Sequence, residues 1–322
     1  MRREQGDARE PTVQRVTIEA DQGQRIDNFL IRELKGLPRS RIYRMLRSGE
    51  VRVNGRRVRQ TYRLLAGDEV RIPPVQGLGS GRSGSKQAFV GNAVLDTLER
   101  AIVHEDDDLL VVNKPAGMPV HGGSGLSFGV IEVLRRLRPE HDLGLAHRLD
   151  RDTSGCLLVA KSRRVLLELH RGLREREVRK RYRLVVFGAW PKRTTTVRLP
   201  LTRYLTSSGE RRVRVDPDGK ASRTDFTVEE SASRATLLEA RLHTGRTHQI
   251  RVHADAAGHP VVGDVKYASD AQQREAEALG IRRLCLHAEE LVLVLEGRKL
   301  RFEAPLPEDF EAAWAAFAAT SG

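Results

Sequence analysis

At 322 residues with 39% hydrophobic content, the chain is too long for one small core and too apolar to be disordered, so about two globular domains are expected. Its 56 Lys and Arg against 43 Asp and Glu leave a formal charge of +13, a surplus that favours a polyanionic partner because each neutralised phosphate releases counterions. Two distant cysteines, Cys156 and Cys285, exclude a disulfide framework and a Cys-x-x-Cys metal pair. With the charged start "MRREQGDARE" and no long apolar run, they point to a cytoplasmic protein without membrane association.

Residues 1–14 are polar and read as a disordered tail. Residues 15–74 read as one small domain. "QRVTIEA" alternates as a strand, and Ile26, Phe29, Leu30 and Leu34 recur at helical spacing, with Gly36 as the stop. "LPRSRIYRMLRSGE" begins a second helix with Ser40 as a candidate cap. "EVRVNGRRV" runs into an Asn-Gly turn, and "GDEVRIPP" closes the unit as a last strand. This segment carries 14 Lys and Arg against 7 Asp and Glu, a net +7. Arg41, Arg44 and Arg47 recur every three residues and share one helix side, while Ile42 and Leu46 lie on another. No acidic residue interleaves the stripe, so phosphate contact is favoured over a solvated face.

Residues 75–93 are rich in Gly and Ser and read as a flexible linker. Their "GSGRSGS" is no phosphate loop, because no Gly-Lys-Ser/Thr follows. Residues 94–322 form the second domain. "AIVHEDDDLLVVNKPAG" reads as two strands around an acidic turn, "FGVIEVLRRLRPE" as an amphipathic helix, "SGCLLVAKS" as a buried strand, and "RRVLLELHRGLRERE" as a helix. "KRYRLVVFGAW", "SRTDFTVEE", "ATLLEARLHTG" and "HQIRVHADAAG" supply further strands and a helix start. Strands in series with inserted helices indicate an α+β fold.

Three clusters carry chemistry. In "AHRLDRDTSG", Asp150 lies among His147, Arg148 and Arg151, which should keep it ionised. Asp152 and Gly155 have turn chemistry, Asp152 by bonding nearby amides and Gly155 by its backbone freedom. Asp150 lacks that explanation, so a catalytic role competes with a structural ion pair. In "LHTGRTHQIRVH", the spacing of His243, His248 and His253 invites a metal, but interleaved Arg246 and Arg251 would repel a cation. An arginine reaching Asp150 is favoured instead. "RKRYRLVV" sets Tyr182 in a strand among cations, where it packs in the core or meets a nucleobase. Cys156 opens the apolar run "CLLVA" and is a small buried residue rather than a nucleophile.

At these residues the sequence resembles a family, the pseudouridine synthases that modify large-subunit ribosomal RNA and some transfer RNA. "HRLDRDTSG" resembles the family signature, "RKRYRLVV" its tyrosine strand and "TGRTHQIRVH" its arginine motif, and "NKPAGMPVHGGSG" is similar to a further segment. Residues 15–74 resemble the alpha-L RNA-binding module. The resemblance implies a mixed, mainly antiparallel catalytic sheet and the isomerisation of uridine to pseudouridine in large-subunit (23S) ribosomal RNA, with no cofactor or metal. It also implies that Asp150 carries the chemistry, Arg246 pairs with it, and Tyr182 lies against the target base. Arg148, or more weakly His147, would fill the stack left by a flipped base. The implied partner is ribosomal RNA, free or in an assembling particle, met by a monomer. A non-catalytic RNA-binding assembly factor, a synthase of transfer RNA and a metal-dependent hydrolase remain as alternatives.

Overall fold

The structure, a computed structural model, describes residues 13–18, 23–34, 37, 39–75, 91–122 and 128–319. The chain divides into two compact units, Met1–Gln87 and Ala88–Gly322. Most of the expected linker, residues 76–90, and Gly36 lie outside the described residues.

The first unit contains β1 (Gln14–Thr17), α1 (Ile26–Glu33), α2 (Arg39–Ser48), β2 (Arg52–Val53) and β3 (Glu69–Ile72), its strands forming an antiparallel sheet in the order β1-β3-β2. Helical spacing decides what α1 buries: Ile26, Phe29 and Leu30, with Leu34 just beyond, meet Ile42, Met45 and Leu46 of α2 in one core. Each such side chain, fully buried, contributes roughly 1.5–3 kcal/mol. α2 begins at Arg39, so Ser40, the expected cap, falls within the helix. Asn54 and Gly55 adopt positive φ of 50° and 75°, the two-residue turn that their sequence demands. Asp68 holds the return path to β3 by accepting from the Leu65 amide, the Asn54 side chain and the Tyr62 hydroxyl.

The second unit runs α3 (Asn92–Arg100), β4 (Ile102–Glu105), β5 (Leu109–Lys114), α4 (Val130–Leu137), β6 (Gly144–Leu145), β7 (Ser154–Ala160), α5 (Arg163–Glu175) and β8 (Arg179–Phe187). It continues with β9 (Thr194–Val197), β10 (Leu201–Leu205), β11 (Arg211–Val215), β12 (Thr224–Ser231), β13 (Ala235–Leu242) and α6 (Gln249–Ala256). α7 (Asp270–Ala278), β14 (Leu286–Leu295), β15 (Arg298–Glu303) and α8 (Glu308–Ala319) complete it. The main sheet has the order β4-β5-β7-β14-β8-β13-β12-β9, with β15 paired to β14 and β6 to β7, and β10 and β11 form a separate hairpin. Every pair is antiparallel except β7 with β14, so the fold is α+β with a mixed, mainly antiparallel sheet.

Period-two alternation sends side chains to two cores. Tyr182, Leu184 and Val186 of β8 join Leu157 and Val159 of β7 and the apolar face of α4. On the other face Leu158 and Leu291 pack on α5, and Val185 and Phe187 on α8. The parallel β7–β14 contact requires Gly155: its φ is 108°, and a Cβ there would collide with the Ala288 carbonyl. Next to it, buried Ser154 and His287 meet at 2.8 Å. The expectation for Cys156 holds, since it lies in the middle of this buried strand and burial pushes its thiol up to about 12.

Candidate active site

The loop between β6 and β7 carries His147, Arg148 and Asp150, and a buried lysine fixes its position. Lys114, at the end of β5, spends its three donors on the carbonyls of Pro115 (2.7 Å), Met118 (2.8 Å) and Arg151 (2.9 Å). Burial lowers its pKa to about 7. The turn itself closes when the Thr153 amide donates to the Asp150 carbonyl at 3.3 Å. Asp152, expected to bond nearby amides, faces Arg151 instead at 3.6 Å.

The Asp150 carboxylate is one-fifth exposed and faces two groups, Nε2 of His248 at 3.9 Å and Nη1 of Arg251 at 4.0 Å. The expected pair with Arg246 is not formed. Arg246 is exposed, and its Nε donates to the Ala221 carbonyl at 3.3 Å. Chain geometry explains the exchange. Arg246 stands in the open turn before α6, whereas His248, at φ 54°, starts the helix and turns Arg251 inward. Arg251 is 3% exposed, and its fork grips buried Asp264 through two bonds of 2.6 Å. Its guanidinium also lies 5.1 Å from the Tyr267 ring centre, so Nη1 faces Asp150 from a fixed plane. Sequence alone does not separate Arg251 from Arg246, although the helix start in "HQIRVH" is a usable sign.

His248 is held by the Tyr267 hydroxyl. Nδ1 of His248 meets the Tyr267 hydroxyl at 2.7 Å, and that hydroxyl also accepts from the Val213 amide at 3.0 Å, which holds the ring with Nε2 toward Asp150. Burial lowers the pKa of His248, although the Asp150 charge opposes the shift. The other histidines of the motif go elsewhere. His243 meets Asp225 at 2.6 Å, and His253 is buried between Ser222 and Thr224, each at 2.9 Å. The three do not converge on a metal position.

Tyr182, nearly buried on β8, lines the same pocket as Asp150. Burial first and the Asp150 charge second push its phenol up, which keeps it protonated at neutral pH. Arg148 is exposed at the mouth, with Arg203 and Arg246 also lining the pocket. His147 is not a free wedge, because its Nε2 accepts from the Leu158 amide at 3.2 Å. Burial and neighbouring Lys180 hold it neutral, well below the usual imidazole range, against a weaker pull from the Arg148 backbone. Lys180 also lines the pocket and was missed by the sequence reading.

The arginine stripe on α2 also needs correction. Arg41 does have a local partner: the chain turns at Gly49, where φ is 75°, and brings Glu50 back to 2.8 Å from it. Arg44 and Arg47 are exposed. The pocket therefore presents a carboxylate facing a guanidinium and an imidazole, a protonated phenol in the same wall, and cations at the rim. Such a site suits attack on, or stabilisation of, an electron-poor sugar or base delivered on a polyanion.

A family model described as RNA pseudouridylate synthase matches residues 108–256, and an S4 domain model matches residues 24–70. With relatives about half identical along nearly the whole length, the chain belongs to the RNA pseudouridylate synthase family and is an isomerase of uridine in RNA. Among those relatives, the ribosomal large subunit pseudouridine synthase C of Salmonella typhimurium is 52% identical over 306 residues, covering 92% of this chain and 94% of that protein. The protein of that name from Escherichia coli K12 is 51% identical over 308 residues, covering 92% and 94%, and that from Pasteurella multocida is 49% identical over 305 residues, covering 93% and 92%. Among solved structures, human RNA pseudouridylate synthase domain containing 4 aligns with a TM-score of 0.59 at 28% identity, over 70% of this chain and 96% of that one. Human RNA pseudouridylate synthase domain containing 1 aligns at 0.56 and 28%, over 64% and 83%. No helix among the described residues is long and apolar enough to cross a membrane.

Proposed function

We propose that this protein converts specific uridines of large-subunit ribosomal RNA to pseudouridine and that Asp150 is the reacting carboxylate. The observation that carries the assignment is the Asp150 carboxylate facing Arg251 and His248 in a pocket shared with Tyr182. The bond between N1 of uracil and C1′ of ribose breaks, the base turns, and C5 joins C1′. A proton leaves C5 and another reaches N1, so the overall change is an isomerisation. The Asp150 carboxylate attacks or stabilises the electron-poor centre, and Arg251 and His248, which face it, set its direction. Arg246 takes the role of a rim cation for the RNA backbone instead of a partner for Asp150. Tyr182 lies against the flipped base. Arg148 fills the stack that the base leaves, at a cost of a few kcal/mol for flipping.

Residues 15–74 bind RNA and residues 94–322 perform the reaction. Exposed Arg44 and Arg47 suit phosphates of free RNA or of an assembling particle. The protein acts in the cytoplasm as a monomer. The test is pseudouridine formation on a large-subunit ribosomal RNA transcript by purified wild-type chain and Asp150→Asn. Wild type forms pseudouridine and the variant does not, while both bind RNA equally. Inactive wild-type protein, or a variant near the wild-type rate, contradicts the assignment.

A further inference from the structure

On β8, cations alternate with the sheet faces. Arg181 is met by Glu239 (3.5 Å), Glu289 (3.4 Å), Glu290 (3.4 Å) and Glu303 (3.9 Å), and Arg183 by Glu229 (2.9 Å) and Glu289 (3.5 Å). Lys180 lies on the opposite face, two residues before Tyr182, half-buried in the wall of the pocket. Among the described residues no carboxylate pairs with it, and burial lowers the pKa of its ammonium to about 8. The titratable group beside it, His147, is neutral, and the lone pair on its Nε2 is taken by the Leu158 amide. An ammonium has three donors and no acceptor. Half-buried in the pocket wall with no ion-pair partner among the described residues, Lys180 has donors free for whatever occupies the pocket.

We propose that Lys180 anchors the uracil, donating a hydrogen bond to a carbonyl oxygen of the base while it is detached from the ribose. The inference rests on the reading of this pocket as the uridine site. When the N1–C1′ bond breaks, its electron pair goes to the base and spreads over N1 and the carbonyl oxygens. The same base then uses C5 to form the new bond to C1′, and the proton lost from C5 is balanced by one gained at N1. Lys180 keeps its own protons throughout. A donor already in place where negative charge develops lowers the barrier without reorganisation, and it keeps the ring from leaving while it turns. A backbone phosphate is the competing acceptor. The exposed rim arginines Arg148 and Arg246 suit that task better, because Lys180 is less exposed and lines the pocket that Tyr182 and Asp150 also line.

The experiment compares full-length wild type, Lys180→Met, Lys180→Arg and Asp150→Asn on one ribosomal RNA fragment carrying tritium at C5 of uridine. It measures single-turnover release of tritium, RNA affinity over a salt series, and thermal melting. Lys180→Met should release tritium about 10²–10³-fold more slowly than wild type. Its RNA affinity and salt slope should match wild type, and it should melt no lower, because Lys180 has no ion pair among the described residues to lose. Lys180→Arg should recover part of the rate. A Lys180→Met rate within a few fold of wild type overturns the proposal. So does a salt slope smaller by about 0.7–0.9, which would mark a phosphate contact. Melting well below wild type would make Lys180 a framework residue and also overturn it. Wild-type protein that releases no tritium would instead overturn the assignment of the pocket itself.

Discussion

In the N-terminal unit Arg44 and Arg47 stand exposed, and Arg41 touches a single half-exposed carboxylate. Around the pocket, Lys114 is fully buried with all three donors used, and Arg251 grips buried Asp264 while facing Asp150. Exposed cations act through a field that salt screens, and individually they contribute little to stability. Buried ones hold a geometry, and removing one leaves an uncompensated partner behind. In the proposed function two kinds of cation divide the work: the surface arginines would gather RNA, and the buried ones hold the carboxylate's surroundings in place. Binding and chemistry should therefore be separable by mutation.

The largest expected separation is at Asp150. Asp150→Asn is nearly isosteric and should lower single-turnover isomerisation by on the order of 10⁴-fold or more, with RNA affinity and melting unchanged. Next comes the contrast between two arginines five positions apart. Arg251→Met leaves Asp264 buried and unpaired, which should cost about 3–5 kcal/mol in urea denaturation and remove most activity. Arg246→Ala should leave the denaturation midpoint unchanged and reduce activity far less. Equal losses from the two would contradict the placement of Arg251 beside Asp150.

Acid distinguishes the regions in another way. Burial holds His287 at about 4 and lowers His253 and His147, all in the larger unit. With folded values below the unfolded imidazole, the unfolded chain binds protons first, so stability is full above about pH 6.5 and falls toward about pH 4. A denaturation series over that range should show the decline, and His287→Gln should flatten part of it. A midpoint that does not move with pH would contradict neutral burial of these rings. The smallest effect is on the surface. The pair Arg44→Ala and Arg47→Ala should reduce the slope of log affinity against log salt by about 1.4–1.8, without changing the rate at saturating RNA. Arg41→Ala should change that slope less than either, because Glu50 already neutralises it.

Local pattern made much of this legible. Spacing gave α1 through Ile26, Phe29 and Leu30, the Asn54–Gly55 turn followed from its residues, and "CLLVA" read as the buried strand that β7 is. Asp150 stood out because turn chemistry could not account for it. What stayed hidden depended on distant pairing. Ser154 meets His287 from 133 positions away, and Arg41 finds Glu50 only after a glycine turn. Arg246 and Arg251 look alike in a string, and only the backbone at His248 decides which one turns inward. Lys180 was passed over because cations crowd its strand. Only the sheet's two faces separate it from Arg181 and Arg183, which carboxylates cover. The β10–β11 hairpin alternated visibly in "LTRYL" and "RRVRV" and could have been read.

The most direct test of the central claim is a map of pseudouridines in large-subunit ribosomal RNA from cells lacking this gene, complemented with wild type or with Asp150→Asn. The account predicts that specific pseudouridines disappear without the gene, return with wild type, and stay absent with the variant. A map unchanged by loss of the gene, or restored by Asp150→Asn, would contradict it.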